Sequence, residues 1–271
     1  MLSALFAGDF DKYFATTGAG KPLWLFVHVP KTAGSSMQAE LSAILSPSAN
    51  IEIDYADTSG RSYQVRFDEA VQKFIATHQE KKYRFATGHI LARHLDMIRE
   101  GIPDLRLFST IRNPVARIVS DYRYQRSQMN VGRDAFIAST PDFETYIARP
   151  HVHNKTARHL VPKALIDAGD KAGAMKYVME HFAFIGLQES YPLTLRTLTT
   201  LMGNPRTVEA KVRVNSEGDE NRVEMTPELE ERLRELNSMD VLLFNRFTQQ
   251  WRAIREDLRD YLAKKPKPKA A

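Results

Sequence analysis

A lysine, a glycine and two serines follow an apolar run in the segment Leu23-Trp-Leu-Phe-Val-His-Val-Pro30-Lys31-Thr32-Ala33-Gly34-Ser35-Ser36, and their order suits them to hold an anion. The run reads as a strand, and a helical pattern begins at the small residues. Main-chain N–H groups in the first turn of a helix lack intrahelical partners and carry the positive end of its dipole. A loop placed there is suited to a phosphate or a sulfate. Lys31 adds a full charge, and Ser35 and Ser36 add hydroxyl donors. The ATPase order Gly-x-x-x-x-Gly-Lys-Ser/Thr is absent, because the lysine precedes the glycine here. ATP, a sugar phosphate and a sulfate all remain open as ligands of such a loop.

A second constellation, Phe108-Ser-Thr-Ile-Arg112-Asn-Pro-Val-Ala-Arg-Ile-Val-Ser120, places a cation at a strand end and a hydroxyl about two helical turns later. A guanidinium fork matches phosphate geometry, and a serine on the same face adds a neutral donor. The pair suits a second phosphate. Between the two constellations, Tyr83-Arg-Phe-Ala-Thr-Gly88-His89 ends a short strand on a histidine. Taken alone, a histidine there is more often structural, or a helix cap, than functional.

Together the two constellations resemble the PAPS-dependent sulfotransferases, which use 3′-phosphoadenosine 5′-phosphosulfate as sulfuryl donor. Val29-Pro-Lys-Thr-Ala-Gly-Ser-Ser36 is most similar to the carbohydrate group that includes heparan sulfate 2-O-sulfotransferases and bacterial relatives. Further similarity lies at Thr87-Gly-His89, at Asn154-Lys-Thr-Ala-Arg158 and at Phe184-Ile-Gly-Leu-Gln-Glu189, in the family's order. The resemblance implies a P-loop-like α/β domain whose central, mostly parallel sheet is flanked by helices. It assigns Pro30, Lys31, Thr32, Ala33, Gly34, Ser35 and Ser36 to the 5′-phosphosulfate, and Arg112 and Ser120 to the 3′-phosphate. His89 matches the family's catalytic base, and a neutral imidazole can accept a sugar hydroxyl's proton near pH 7. Lys31 would offset charge developing on the leaving phosphate, and PAP would be the product. The implied acceptor is a glycan, a glycolipid or a small hydroxylated molecule. Where some sulfotransferases close the cofactor site with an Arg-Lys-Gly loop, this chain offers Lys211-Val-Arg213-Val-Asn215, making Arg213 and Asn215 the candidates there.

An α/β frame is needed to bring these residues together. Apolar spacing at Met37, Leu41, Ile44 and Leu45 predicts a helix over 34–46, and Phe67, Val71, Phe74 and Ile75 predict another over 67–79. Leu105–Ile111 and Phe184–Leu187 read as strands, and Pro114 opens a helix to about Ser127. Each strand stops on a polar residue, so residues 30–36, 89 and 112–120 can meet beyond the carboxyl ends of a parallel sheet. Residues 142–182 read as interrupted helix, a helix through Leu193, Leu195, Leu198 and Leu201 stops near Gly203, and 204–226 reads as the longest loop. Thr226-Pro227 caps a following helix, and the stripe Leu243, Phe247, Trp251 marks the last one as core-facing. Arg117, Arg123 and Arg126 are expected on the exposed side of their helix. His151, His153 and His159 are expected on a solvated or acceptor-facing loop rather than around a metal.

The 271-residue chain, 43% hydrophobic, is long enough for one domain over 1–263. It has no cysteine, so thiolate metal sites and cysteine nucleophiles are excluded. Its net charge of +5 owes much to Lys264, Lys265, Lys267 and Lys269, so 264–271 reads as a disordered basic tail and nucleic-acid binding is not implied. No run approaches a membrane span and the N-terminus lacks a basic, apolar leader, so a cytoplasmic enzyme is expected. Two rivals share the anion loop. One is a nucleotide-dependent phosphoryl transferase, disfavoured by the lysine's position and by the lack of an evident Mg²⁺ carboxylate; the other is a non-catalytic binder of anionic glycans.

Overall fold

The computed structural model describes residues 1–54, 56–206 and 221–265. Arg213, Asn215 and most of the basic tail lie outside the described residues.

Five strands form one sheet: β1 (Leu23–Val27), β2 (Ser48–Ile51), β3 (Phe85–Gly88), β4 (Leu105–Ile111) and β5 (Phe182–Leu187). Their order across the sheet is β2-β3-β1-β4-β5, and every pairing is parallel. β1, β3 and β5 are buried along their whole length, as expected where helices cover both faces of a parallel sheet. This explains why Trp24, Phe26, Phe85, Phe108, Phe182 and Phe184 read as continuous apolar runs rather than as alternation.

Helices α1 (Leu2–Phe6) and α2 (Phe10–Thr17) precede β1, and α3 (Gly34–Ile44) follows it. α4 (Tyr63–Lys81), α5 (Ala92–Gly101) and α6 (Pro114–Arg126) follow β2, β3 and β4. The short helices α7 (Arg133–Ser139), α8 (Phe143–Ile147), α9 (Lys155–Leu160) and α10 (Lys163–Asp167) lead to α11 (Lys171–His181). After β5 come α12 (Tyr191–Leu201), α13 (Pro227–Leu236) and α14 (Ser238–Ala263). The Thr226 side chain accepts the Leu229 N–H, and Leu243, Phe247 and Trp251 are buried, as the spacing requires. Trp251 Nε1–H donates to the Ile185 carbonyl at 2.9 Å, which ties α14 to β5.

Strand β2, which the polar 50–66 stretch conceals, and helix α5 were not read from the sequence. Arg117 corrects the expectation of a solvated helix face: it is fully buried. Helix α6 is covered on this side, and Val115, Ile118 and Tyr122 pack into a second cluster with Tyr146, Ile147 and Leu233. Arg117 Nη2 donates to the Val152 carbonyl at 3.3 Å and its Nη1 lies 3.7 Å from Asp121. His159 is a second correction. It is buried rather than solvated, and its Nδ1–H donates to the Ile90 carbonyl at 2.7 Å.

Candidate active site

The loop between β1 and α3 turns through two left-handed residues, Lys31 at φ 69° and Ala33 at φ 63°. Both cost energy for a residue with a Cβ, and such strain persists where the surroundings enforce it. Those surroundings are visible. Thr32, fully buried between the two, donates its hydroxyl to the Val29 carbonyl at 2.8 Å, and Thr110 Oγ1 on β4 donates to the Thr32 carbonyl at 3.0 Å. The Thr32 carbonyl thus pins the loop to β4, and its hydroxyl is committed to Val29 and lies 3.2 Å from Thr110 Oγ1, leaving its main-chain N–H for an anion. Ala33 caps α3 without a side-chain hydrogen bond, and Ser35 and Ser36 are exposed in the first turn. Uncapped N–H groups and two hydroxyls at that turn are donors of the kind an anion can accept from.

Gly34 is required by a neighbour. A Cβ at that position would sit 1.8 Å from His28 Nε2, so only glycine lets the His28 ring lie over the first turn of α3. The same ring stacks on Phe26, with centroids 5.3 Å apart, and against His89 at 4.4 Å.

His89 leaves β3 directly. Parallel register places Val27 beside Gly88, and the His28 N–H donates to the Gly88 carbonyl at 3.0 Å. The return contact sets the chemistry of the site: the His28 carbonyl lies 2.9 Å from His89 Nδ1, and because a carbonyl only accepts, Nδ1 carries the proton. In the neutral ring Nε2 is then a bare acceptor. Desolvation is the main influence lowering the His89 pKa below its ordinary 6.5, with Lys155 adding to it and the His28 carbonyl and Asp121 opposing it. The solvent-accessible ring is therefore neutral at pH 7.

β4 ends at Ile111, and half-buried Arg112 turns its guanidinium back to the loop, where Nη1 donates to the Lys31 carbonyl at 3.3 Å. The Lys31 ammonium lies 4.0 Å from the centre of the Tyr124 ring on α6, so β4 and α6 hold both ends of this lysine. Asn113 caps α6 through the Ala116 N–H, and its own N–H donates to Glu189 Oε1 at 2.8 Å. Burial and the Arg117 cation lower the Arg112 pKa and Glu189 opposes them, yet a guanidinium keeps its charge in proteins. Ser120 is half-buried on the same helix, one turn before Tyr124.

A charged cluster underlies the site. Asp121 Oδ2 accepts from Lys155 Nζ and from the Tyr146 hydroxyl, both at 3.0 Å. The neighbouring Lys155 and Arg117 cations keep the Asp121 carboxyl below its ordinary value despite burial. Buried Asp240 on α14 accepts the Thr156 and Ala157 N–H groups at 3.0 and 2.7 Å, which caps α9 and sets Lys155 in place. Asn154, at φ 47°, accepts the Met239 and Asp240 N–H groups and donates its own N–H to Asn237. In the donor-rich 151–159 segment, Asn154 and His159 are thus structural, Lys155 pairs with Asp121, and His151 and Arg158 are exposed.

The fold brings residues 30–36 and Arg112 into contact, with Ser120 on the helix that Arg112 leads into and His89 at the end of the next strand. Sequence reasoning did not single out His28, Tyr124, Asp121 or Lys155. An opposite-charge pair at helical i,i+4 spacing, Arg117 and Asp121, was the available sign of a buried network. Among the described residues no group of three His, Asp or Glu side chains is arranged to hold a metal ion, and no helix is long and apolar enough to cross a membrane.

No curated protein matches the chain by sequence. Among solved structures, a sulfotransferase from Alicyclobacillus acidocaldarius is 18% identical with a TM-score of 0.47, over 89% of this chain and 100% of that one. Mouse sulfotransferase SULT7A1 complexed with PAP is 12% identical with a TM-score of 0.45, over 96% of each chain. The profile of the sulfotransferase family matches residues 19–247, from just before β1 into α14 and across every candidate residue, and the chain belongs to that family.

Proposed function

We propose that this sulfotransferase moves a sulfuryl group from PAPS to a hydroxyl of a carbohydrate-type acceptor, with His89 as general base. The observation that carries the reading is the His89 tautomer: Nδ1–H is held by the His28 carbonyl, which leaves Nε2 able to take the acceptor's proton.

The donor set fits PAPS. Uncapped N–H groups at the start of α3, Ser35, Ser36 and Lys31 suit its 5′-phosphosulfate. Arg112 and Ser120 suit its 3′-phosphate, and Arg213 and Asn215 remain proposed contacts. When bound, PAPS supplies an activated sulfuryl group: the S–O bond to its 5′-phosphate breaks with the electron pair left on the phosphate oxygen, as the acceptor oxygen forms a new S–O bond. His89 Nε2 takes the acceptor's proton. Lys31 supports the negative charge gathering on the departing phosphate, an electrostatic effect that is strongest in a fixed, water-poor site.

The test is to incubate the protein with labelled PAPS and a panel of oligosaccharides, glycolipid headgroups and small alcohols, and to locate the sulfate by mass spectrometry. The expected result is transfer to a sugar hydroxyl, reduced about 10²- to 10⁴-fold in His89→Ala with PAP affinity retained. Near-normal transfer by that variant would remove the proposed base, and transfer only to non-sugar alcohols would remove the acceptor class.

A further inference from the structure

We propose that His28 contacts the transferred sulfuryl group, donating an imidazole N–H to one of its non-bridging oxygens. The inference rests on the PAPS reading of the site and adds a catalytic residue to it.

Three contacts place the ring. On one side it meets His89, centroids 4.4 Å apart. On another it rests on Phe26 at 5.3 Å. Its Nε2 edge abuts the Gly34 backbone, so the ring occupies the gap between the base and the first turn of α3. Sulfuryl transfer must cross this gap, because the donor phosphate belongs at the α3 turn and the attacking hydroxyl at His89.

The hydrogen-bond inventory of His28 is uneven. Its N–H and carbonyl are both used, by Gly88 and by His89. Neither ring nitrogen has a hydrogen bond among the described residues, although the residue is only half exposed. Neither nitrogen is a buried, unsatisfied atom, so both are open to a ligand or to water. Burial, with His89 and His159 adding, pushes the His28 pKa down to about 3, so the ring is neutral and offers one N–H with no charge. A neutral donor can orient the sulfuryl group between attacking and leaving oxygens without competing with Lys31 for the negative charge.

Replacement by Phe separates packing from donation. His28→Phe keeps an aromatic ring over Gly34 and against His89 and leaves the main-chain carbonyl intact. We expect it to bind PAP within about twofold of wild type by calorimetry, to bind PAPS more weakly, and to lose about 10- to 100-fold in kcat. His28→Asn, which restores a side-chain N–H, should recover part of the loss. In the wild type without acceptor, the His28 ring ¹⁵N signals should move on adding PAPS and not on adding PAP. A Phe variant with wild-type PAPS affinity and kcat, or ring signals indifferent to PAPS, would overturn the His28 role alone. Loss of PAP binding by the Phe variant would make the ring structural and overturn it too. A wild-type protein that binds neither nucleotide would instead overturn the PAPS reading, and this role with it.

Discussion

At the scale of single residues, two histidines with the same ordinary chemistry have been made different by their backbones. The His28 carbonyl fixes the His89 proton on Nδ1, while neither nitrogen of the His28 ring has a hydrogen-bond partner among the described residues. The general-base reading predicts how activity follows pH. A base works only when deprotonated, and the His89 pKa is lowered, so the acid limb of kcat/KM should lie below 6.5. Lys155 lowers this pKa and its partner Asp121 raises it, so Lys155→Met removes one influence and unmasks the other in the same direction. Its acid limb should move up in pH; an unmoved limb would detach the cluster from the base. His89 and Arg112 were legible in the sequence because each ends a strand on a polar residue within a recognisable motif. His28 and Lys155 sit inside quoted motifs too, but their importance depends on which ring or carboxylate faces them, and only the assembled sheet decides that.

At the scale of elements, the loops of the site are held by groups distant in sequence. α9 carries Lys155, and its N-terminus is capped by the Asp240 carboxylate of α14 through two hydrogen bonds of 2.7 and 3.0 Å. Asp240→Ala would leave both buried N–H groups unpaired. We expect a loss of about 3 kcal/mol of stability, read from denaturant unfolding, and weakened Lys155–Asp121 contact. A loss under about 0.5 kcal/mol would show the cap to be dispensable. The strands β1, β3, β4 and β5 and the helices α3, α6, α12 and α14 were readable because apolar runs and helical spacing survive in them. β2 was not, because its edge position leaves Ser48, Ala49 and Asn50 partly or fully exposed and so erases the apolar signal. Arg117 was misplaced for the converse reason: helix α6 is covered on the side where a charge normally meets water.

For the whole molecule, the principal core runs from Leu2 in α1 to Leu262 in α14, and we propose that residues 1–263 unfold as one unit. Acid should weaken that unit. Unfolded histidines take up protons below about 6.5, whereas His28 and His159 resist until about 3, so the unfolded state gains as pH falls between those values. Asp240, whose carboxyl is pushed up by burial, acts in the opposite sense, but near its own lower range. A single denaturant transition with a lower midpoint at pH 5 than at pH 7.5 is expected, and two transitions or equal midpoints would contradict it. The parallel order β2-β3-β1-β4-β5 puts the β1 loop in the middle, flanked by β3 with His89 and β4 with Arg112, and this arrangement underlies the central claim that one nucleotide bridges the Lys31 loop and Arg112. Calorimetry on the wild-type protein with PAP, with adenosine 5′-phosphate and with Mg²⁺–ATP tests it most directly. PAP should bind stoichiometrically, and adenosine 5′-phosphate, lacking the 3′-phosphate, about 10- to 100-fold more weakly. Tight binding of Mg²⁺–ATP with none of PAP would contradict the account.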